Sequence, residues 1–337
     1  MTSPTPISSQ TVRRPSLFGR LIRFTFWLIF TAVVGGLGLL TLSGFAGQFH
    51  WAFDALSNFR LYYFAALLPL ALFILWRRKF WLFWPTSVFL LLNFVFIAPY
   101  YIALPQTAVV EAAPSENHLR LLMANVLYSN RRPADLVAYI EETDPDIVVL
   151  VEMTSSLKRA MSPLYEKYPY VLDGSYQENI ILSRVPLTSG WYDYGANGRP
   201  DAVGQFEWHG RAFTVIGTHP TTPLSHGRMA QRNQHLAHLA TLTSTQANQL
   251  PVILTGDLNT TPFSVHFQTL LRDGTLRDGR YGFGLQNTWP GFYRFIRIPL
   301  DHFLHSDDIQ IHNFQTGPFG GSDHRPIVVD FALPASE

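Results

Sequence analysis

Two hydrophobic rhythms divide this chain. Between Phe24 and Trp76 only Asp54 and Arg60 are charged, and no charged residue falls between Phe80 and Val110. Crossing about 30 Å of hydrocarbon takes about 20 apolar residues as a helix. Three stretches fit: 24–44, 61–76 and 80–104. The middle one is short, but Arg60 at one end and Arg77, Arg78 and Lys79 at the other can snorkel to the interface. Pro85 and Pro99 are tolerable inside a membrane helix. Trp76, Trp81, Trp84, Tyr100 and Tyr101 fall near span ends, where amphipathic rings favour the interface. The alternatives are a buried helical hairpin of a soluble protein, or a cleaved signal peptide followed by apolar core. A signal peptide has an apolar region of only ~7–15 residues, and here two more such stretches follow.

Loop charges predict an orientation. Residues 1–23 hold Arg13, Arg14, Arg20 and Arg23, and Arg77, Arg78 and Lys79 fill the second turn. The flanks 46–59 and 105–119 contain no Lys or Arg. The positive-inside rule then makes the N-terminus and the second turn cytoplasmic. Three crossings carry everything after Leu104 to the extracytoplasmic side, periplasmic or extracellular. The expected organisation is a basic cytoplasmic N-terminus (1–23), a three-helix membrane anchor (24–104), a polar linker (105–118) and a catalytic domain (119–337).

From Leu119 onward the pattern is that of an α/β chain. Runs rich in Val, Ile, Leu and Phe at 119–124, Ile147–Val151, Ile180–Ser183, 213–217, 252–255, 300–304 and 327–331 read as buried strands. Helices fit between them. Pro133–Thr143 opens on Pro at a first helical position, and 226–246 repeats Met229, Leu236, Leu239 and Leu242 near helical spacing behind Ser225 as N-cap. Residues 208–211 read as a hairpin turn between 202–207 and 212–217.

Composition narrows the chemistry. Charged residues are 15% of the 337, against ~25% in an ordinary soluble domain, and the deficit lies in the apolar stretches. Aromatics at 14% exclude a disordered chain. There is no cysteine, which removes disulfides, thiolate catalysis, iron–sulfur clusters and Cys-ligated zinc.

Candidate chemistry sits at strand ends. Asn125 and Glu152 end the first two strands of the domain, His219 ends a later one in GTHP, and Asp257 and Asn259 follow in TGDLNTTP. Asp301 lies in PLDHFLHS, and Asp323 and His324 precede the last strand in GSDHRPI. A sheet scaffold can converge such groups on one rim. Carboxylates and amide oxygens without thiolate suit Mg2+ or Mn2+. With imidazoles added, the set suits phosphoester hydrolysis. Taken singly, Gly-Asp-x-Asn reads equally as an Asx turn. His226, His235 and His238 read as a solvated helix face, and His302 and His305 as packing residues.

The ordered series LLMANVLYSN (121–130), DPDIVVLVE (144–152), ENIILSR (178–184), GTHP (217–220), TGDLNTTP (255–262), PLDHFLHS (299–306) and GSDHRPI (321–327) resembles the endonuclease/exonuclease/phosphatase superfamily. That resemblance implies a four-layer αββα sandwich with its site at one end of two sheets. It implies Glu152 and Asn125 as metal ligands and Asp323 as a further metal-side acid. Asp257 and Asn259 match positions that orient the attacking water and bind the phosphate or a second metal. His324 matches the histidine over the scissile phosphate, held in its tautomer by Asp301. His219 matches a phosphate-contacting histidine, and Glu178 a glutamate bonded to it in one branch. The implied reaction is in-line attack of water on phosphorus with Mg2+ as cofactor, Mn2+ being an alternative.

The substrate is narrowed by charge and place. The predicted topology keeps the site away from chromosomal DNA and soluble inositol phosphates. Residues 119–337 carry 17 Lys and Arg against 21 Asp and Glu, a net charge of −4. A protein gripping a long polyanion usually shows a basic face, so nucleic acid is not favoured as partner. The segment 283–298 sets Trp289, Phe292, Tyr293, Phe295 and Ile296 beside Arg294 and Arg297, a composition suited either to a bilayer interface near the site or to packing under the sheet rim. The expectation is a membrane-anchored phosphodiesterase or phosphatase acting on a phospholipid or other envelope phosphoester. An extracytoplasmic nuclease for short or single-stranded nucleic acid is the second reading.

Overall fold

The computed structural model describes residues 16–102, 118–174, 178–195, 198–293 and 295–333. Its first part is helical: α1 (Leu17–Ser43), α2 (Trp51–Ser57), α3 (Arg60–Trp76) and α4 (Phe80–Tyr101). Ser16 caps α1, its hydroxyl accepting the Gly19 N–H at 3.2 Å. α1 and α4 are each long and apolar enough to cross a membrane; α2 and α3, bent by 60°, together make a third candidate. α1 packs on α4 through a buried bond from Asn93 Nδ2 to Thr41 Oγ1 at 2.9 Å. Leu28, Leu72, Leu91 and Val95 face outward along these helices, as expected where the surroundings are apolar.

The second part begins with β1 (His118–Asn125), α5 (Pro133–Thr143), β2 (Ile147–Val151), α6 (Ser155–Ala160), α7 (Pro163–Lys167), β3 (Tyr170–Leu172) and β4 (Ile180–Ser183). It continues through β5 (Leu187–Tyr194), β6 (Pro200–Trp208), β7 (Arg211–Thr218), α8 (His226–Ala247), β8 (Val252–Asp257), α9 (Val265–Asp273) and β9 (Arg277–Asp278). The last strands are β10 (Asp301–His305), β11 (Gln310–Thr316) and β12 (Ile327–Ala332). The strands form two six-stranded sheets, ordered β11-β12-β1-β2-β4-β3 and β5-β6-β7-β8-β10-β9.

Alternation along the strands builds the layers. Leu121, Met123, Ile147 and Val149 of the first sheet meet Phe213, Val215, Ile253 and Phe303 of the second in one buried core. The intervening residues Leu122, Val148 and Leu150 turn outward under Leu136, Ile140 and Leu157 of α5 and α6. On the far side, Ile216, Val252 and Leu254 pack under Leu236, Leu239, Phe267 and Leu270 of α8 and α9. The result is the expected αββα sandwich. The 208–211 hairpin is also present, with His209 at φ +50° and Gly210 at φ +76°, the left-handed pair that a two-residue turn requires.

Strand direction gathers the ends that matter. β1 runs parallel to β2, and β7 parallel to β8. β12 is antiparallel to β1, and β10 antiparallel to β8 with Asp301 opposite Asp257. The C-terminal ends of β1, β2, β7 and β8 therefore share a rim with the N-terminal ends of β10 and β12.

The helical part docks on the sandwich. Asp54 of α2 pairs with Arg232 of α8 at 2.8 Å, both buried, and accepts from Ser264 Oγ at 2.5 Å. Asn58 accepts from Thr261 Oγ1 at 2.8 Å, and Ile97 and Tyr100 of α4 share a small core with Phe263 and Leu285. The first and third apolar stretches differ from the sequence boundaries at their ends: α1 starts at Leu17, and α4 stops at Tyr101. The 105–118 linker lies outside the described residues except His118, which opens β1.

Candidate functional site

Two groups of side chains meet at the shared rim, and Asp257 belongs to both. Glu152, His219 and Asp257 offer ligand atoms within 4.8 Å of one another, as do Asp257, Asp301 and His324. His219 Nε2 lies 3.6 Å from Glu152 Oε1 and 3.7 Å from Asp257 Oδ2. His324 Nε2 lies 3.5 Å from Asp257 Oδ2, while its Nδ1 bonds Asp301 Oδ2 at 2.7 Å.

The backbone at the rim is shaped for this. Glu152 and Asn259 adopt φ +61° and +50°, left-handed values that cost a non-glycine residue on the order of 1–3 kcal/mol and turn the side chain out of strand alternation. Asn259 is held by its N–H on Asp257 Oδ1 at 2.9 Å and by Nδ2 on the Pro220 carbonyl at 3.0 Å. Gly256 lets β8 approach β7 closely, because a Cβ there would stand 1.9 Å from the Thr218 carbonyl oxygen. Ser322 ties the last loop to β1: its hydroxyl donates to the Asn125 carbonyl at 2.7 Å and accepts the His324 N–H at 3.0 Å.

Electrostatics sort the two histidines. Burial, reinforced by the charges of Arg199 and His324, pushes His219 down to about 3, so it is neutral near pH 7. Burial also opposes charge on His324, but the attraction of Asp301 and Asp257, the Asp301 hydrogen bond and the field of Asp323 outweigh it and raise its pKa. Burial raises Asp257 toward neutrality, against the pull of His324.

The donor set fits a hard cation. Asn125 Nδ2 bridges Glu152 Oε1 at 2.9 Å and Asp257 Oδ2 at 3.0 Å, so two acidic oxygens converge on one amide. Glu152 and Asp257 offer carboxylate oxygens and no thiolate, as Mg2+ and Mn2+ prefer, while the Asn125 Oδ1 takes the Leu127 N–H at 3.0 Å.

Asn125, Glu152, His219, Asp257, Asn259, Asp301 and His324 are thus brought together. Asp323 borders them, its carboxylate taking the Trp289 indole N–H at 3.1 Å. Glu178 is exposed and more than 4 Å from His219, whose Nδ1 has no partner, so the glutamate–histidine bond implied by the resemblance is not formed. The Glu178 backbone carbonyl takes the Met153 N–H at 2.9 Å, fixing the chain at the sheet surface. Arg297 lies on the segment after Trp289, with its N–H on the Tyr62 hydroxyl at 2.6 Å. Arg294 lies outside the described residues.

Other expectations are corrected. His235 and His238 do not form a solvated face: His235 is buried with Nε2 on Asp201 Oδ2 at 2.9 Å, and His238 pairs with Asp193. Asp201 also accepts from Thr218 Oγ1 at 2.5 Å, supporting the strand end that carries His219. An Asp beside Pro200 in a polar stretch gave no sequence signal of that role. The Phe292, Tyr293, Phe295 and Ile296 side chains are exposed rather than packed under the rim.

A profile of the Endonuclease/Exonuclease/phosphatase family matches residues 124–324. Among curated proteins no sequence matches this chain. Solved structures share its fold. D. rerio TDP2, complexed with single-strand DNA product, is 17% identical with a TM-score of 0.55, over 64% of this chain and 99% of that one. A Bacteroides vulgatus endonuclease/exonuclease/phosphatase is 15% identical with a TM-score of 0.54 over 64% and 99%. Truncated Caenorhabditis elegans TDP2 is 16% identical with a TM-score of 0.52 over 64% and 98%. With a profile match that spans more than half the chain and contains the whole rim from Asn125 to His324, the chain belongs to the endonuclease/exonuclease/phosphatase family of phosphoester hydrolases.

Proposed function

We propose that this protein is a membrane-anchored, Mg2+-dependent phosphodiesterase or phosphatase whose catalytic domain lies on the extracytoplasmic side. The observation that carries the reading is the position of Asp257, within 4 Å of both His219 and His324 and bridged to Glu152 by Asn125. Glu152 would hold the divalent cation, with Asp323 and, once its amide turns its oxygen inward, Asn125 beside it, which leaves Asp257 to the attacking water. Such a cation supplies Lewis-acid neutralisation of charge on the phosphoryl oxygens.

The chain's own residues supply the rest. His324, kept protonated by Asp301, donates from Nε2 to a phosphoryl oxygen as negative charge develops. Neutral His219 adds a hydrogen bond without the penalty of a buried charge. Asp257, whose carboxylate burial makes a stronger base, accepts the proton of the attacking water, and Asn259 orients that water. The His324–Asp301 pair is a poorer base because its proton is already bound.

The membrane reading rests on charge placement. Arg20, Arg23 and Lys79 line one cavity with Trp27 and Trp81 at one end of the helices, while α2, Tyr62 and Tyr100 meet the sandwich at the other. Positive charge at the far end supports a cytoplasmic N-terminus and, with α3 crossing, an extracytoplasmic domain. The exposed Phe292, Tyr293, Phe295 and Ile296 follow Trp289, which bonds Asp323, so the site mouth and the bilayer interface are neighbours in this reading. A lipid or envelope phosphoester is the substrate that suits it. Single-stranded nucleic acid, seen as product in the D. rerio relative, is the second reading.

The test is a screen of the full chain in detergent across phospholipid, sugar-phosphate, nucleotide and oligonucleotide substrates, with Mg2+, Mn2+ or EDTA. Turnover of lipid phosphoesters, lost in EDTA, is expected. Cleavage of oligonucleotides with no lipid turnover selects the second reading, and full activity in EDTA ends the metal assignment.

A further inference from the structure

Between the 286–298 segment, β11 and α3 lies a cavity of about 340 Å3 with no acidic residue in its lining. Two guanidiniums, those of Arg297 and Arg325, share it. Among the described residues neither makes an ion pair. Arg325 Nε is buried without a hydrogen-bond partner, and so is Asn287 Oδ1 on the same wall.

The walls are built rather than incidental. The Tyr62 hydroxyl accepts the Arg297 N–H at 2.6 Å and donates to the Arg297 carbonyl at 2.7 Å. Gln286 Oε1 takes both the Thr316 N–H at 3.0 Å and its hydroxyl at 2.9 Å. The Arg325 N–H bonds the Thr288 carbonyl at 3.2 Å. Two cations held side by side at a fixed backbone, with no anion of the protein's own, are unfavourable alone. They become favourable once an oxyanion accepts their planar donor forks.

We propose that this cavity binds one phosphate group between Arg297 and Arg325, as a subsite separate from the catalytic pocket. Arg325 follows His324 directly, so the subsite adjoins that pocket without sharing its ligands. Tyr62 belongs to α3 and Phe295 lines the cavity, which puts a lipid headgroup phosphate within reach; inorganic phosphate meets the same donors. The assignment is independent of the hydrolytic reading, because it is read by binding and not by turnover.

The experiment uses the full chain in detergent with EDTA present. Inorganic phosphate is titrated calorimetrically, and native mass spectrometry follows retention of phosphatidylglycerol against excess phosphatidylcholine. Arg325→Gln should weaken phosphate binding about ten- to hundredfold, the equivalent of one charge-assisted hydrogen bond, and Arg297→Gln/Arg325→Gln should abolish it. Arg325→Lys, which keeps the charge but not the planar fork, should weaken binding less than Arg325→Gln and guards against a folding artefact. Loss of phosphatidylglycerol from the double variant identifies the lipid as source; phosphate binding without lipid retention identifies the free ion. Unchanged affinity in the folded double variant overturns the subsite. So does loss of phosphate binding in His324→Ala, which would put the ion in the catalytic pocket.

Discussion

In the proposed mechanism the chemistry turns on His324, whose Nδ1 bonds Asp301 and whose Nε2 lies 3.5 Å from Asp257. His324→Ala should lower kcat by roughly 10²–10⁴-fold while the circular dichroism spectrum stays that of the folded protein. Asp301→Asn should fall in the same range, since an amide neither selects the tautomer nor supports the charge. Unchanged kcat in either variant would remove that pair from the mechanism. Gly256→Ala tests backbone shape: a methyl 1.9 Å from the Thr218 carbonyl has no rotamer to relieve it. Overpacking costs typically ~1–3 kcal/mol, and here the strain falls on the strand pair carrying His219 and Asp257. A lowered melting temperature together with lost activity is expected.

Protonation gives a further residue-scale prediction. Burial holds His219 and His305 below the ordinary histidine range, and burial with the Arg280 charge does the same for His302. The unfolded chain therefore binds more protons than the folded one below about pH 6.5, and stability is lost as pH falls. Each such histidine contributes a slope of up to about 1.4 kcal/mol per pH unit. His324 has the opposite sign: its stabilisation is complete below about pH 6.5 and is lost as pH rises through its elevated folded value. Metal-free melting curves from pH 4 to 10 should show a maximum near neutrality. A flat curve below pH 6.5 would mean that these histidines are not buried neutral.

At the scale of elements, the informative contact joins α2 to the catalytic sandwich. Asp54 reaches Arg232, whose Nη1 donates to the Asn259 carbonyl at 3.2 Å, so a residue of the N-terminal helices is one side chain removed from the rim. Removing one partner of a buried ion pair costs about 3–5 kcal/mol, because the other charge is left unpaired. Asp54→Ala should lower the melting temperature strongly, and Asp54→Ala/Arg232→Met should recover part of the loss. Equal melting of wild type and single variant would show that the pair is solvated. Strands such as Ile147–Val151 and helices such as Pro133–Thr143 were legible from apolar runs and helix-start signals. α2 was not: WAFDALS has too few residues for a periodic signal, and its stability comes from docking. β5, with all eight of its positions at best half-covered, lacks the apolar run that marked the others.

For the molecule as a whole, the proposed membrane topology turns on the parity of crossings. α1 and α4 alone would return the catalytic domain to the side of the N-terminus; α3 as a third crossing, as proposed, would send it across. A reporter fused after Glu337 that is active only outside the cytoplasm is the expected result, and cytoplasmic reporter activity would reverse the assignment. The exposed loop tip adds a kinetic consequence. Phe292→Ser/Ile296→Ser should raise KM for a vesicle-borne ester and leave a soluble ester unaffected, whereas equal effects on both would make the tip structural.

The apolar helices, the strand runs, the αββα class and the identities of the rim residues could be read before any coordinates. The helices and strand runs follow from local hydrophobic period, which any chain displays one position at a time; the αββα class and the roles at the rim follow from the motifs' resemblance to a known family. Tertiary structure decided which groups share a pocket. Asp257 came to link two clusters through the pairing of β8 with β10 and β7, and Glu152 turned into the rim through a left-handed backbone. His235 and His238, polar on a helix by pattern, found carboxylates from β5 and β6. Such contacts depend on distances between positions far apart in the chain, and these are fixed only when sheets stack and strand ends align.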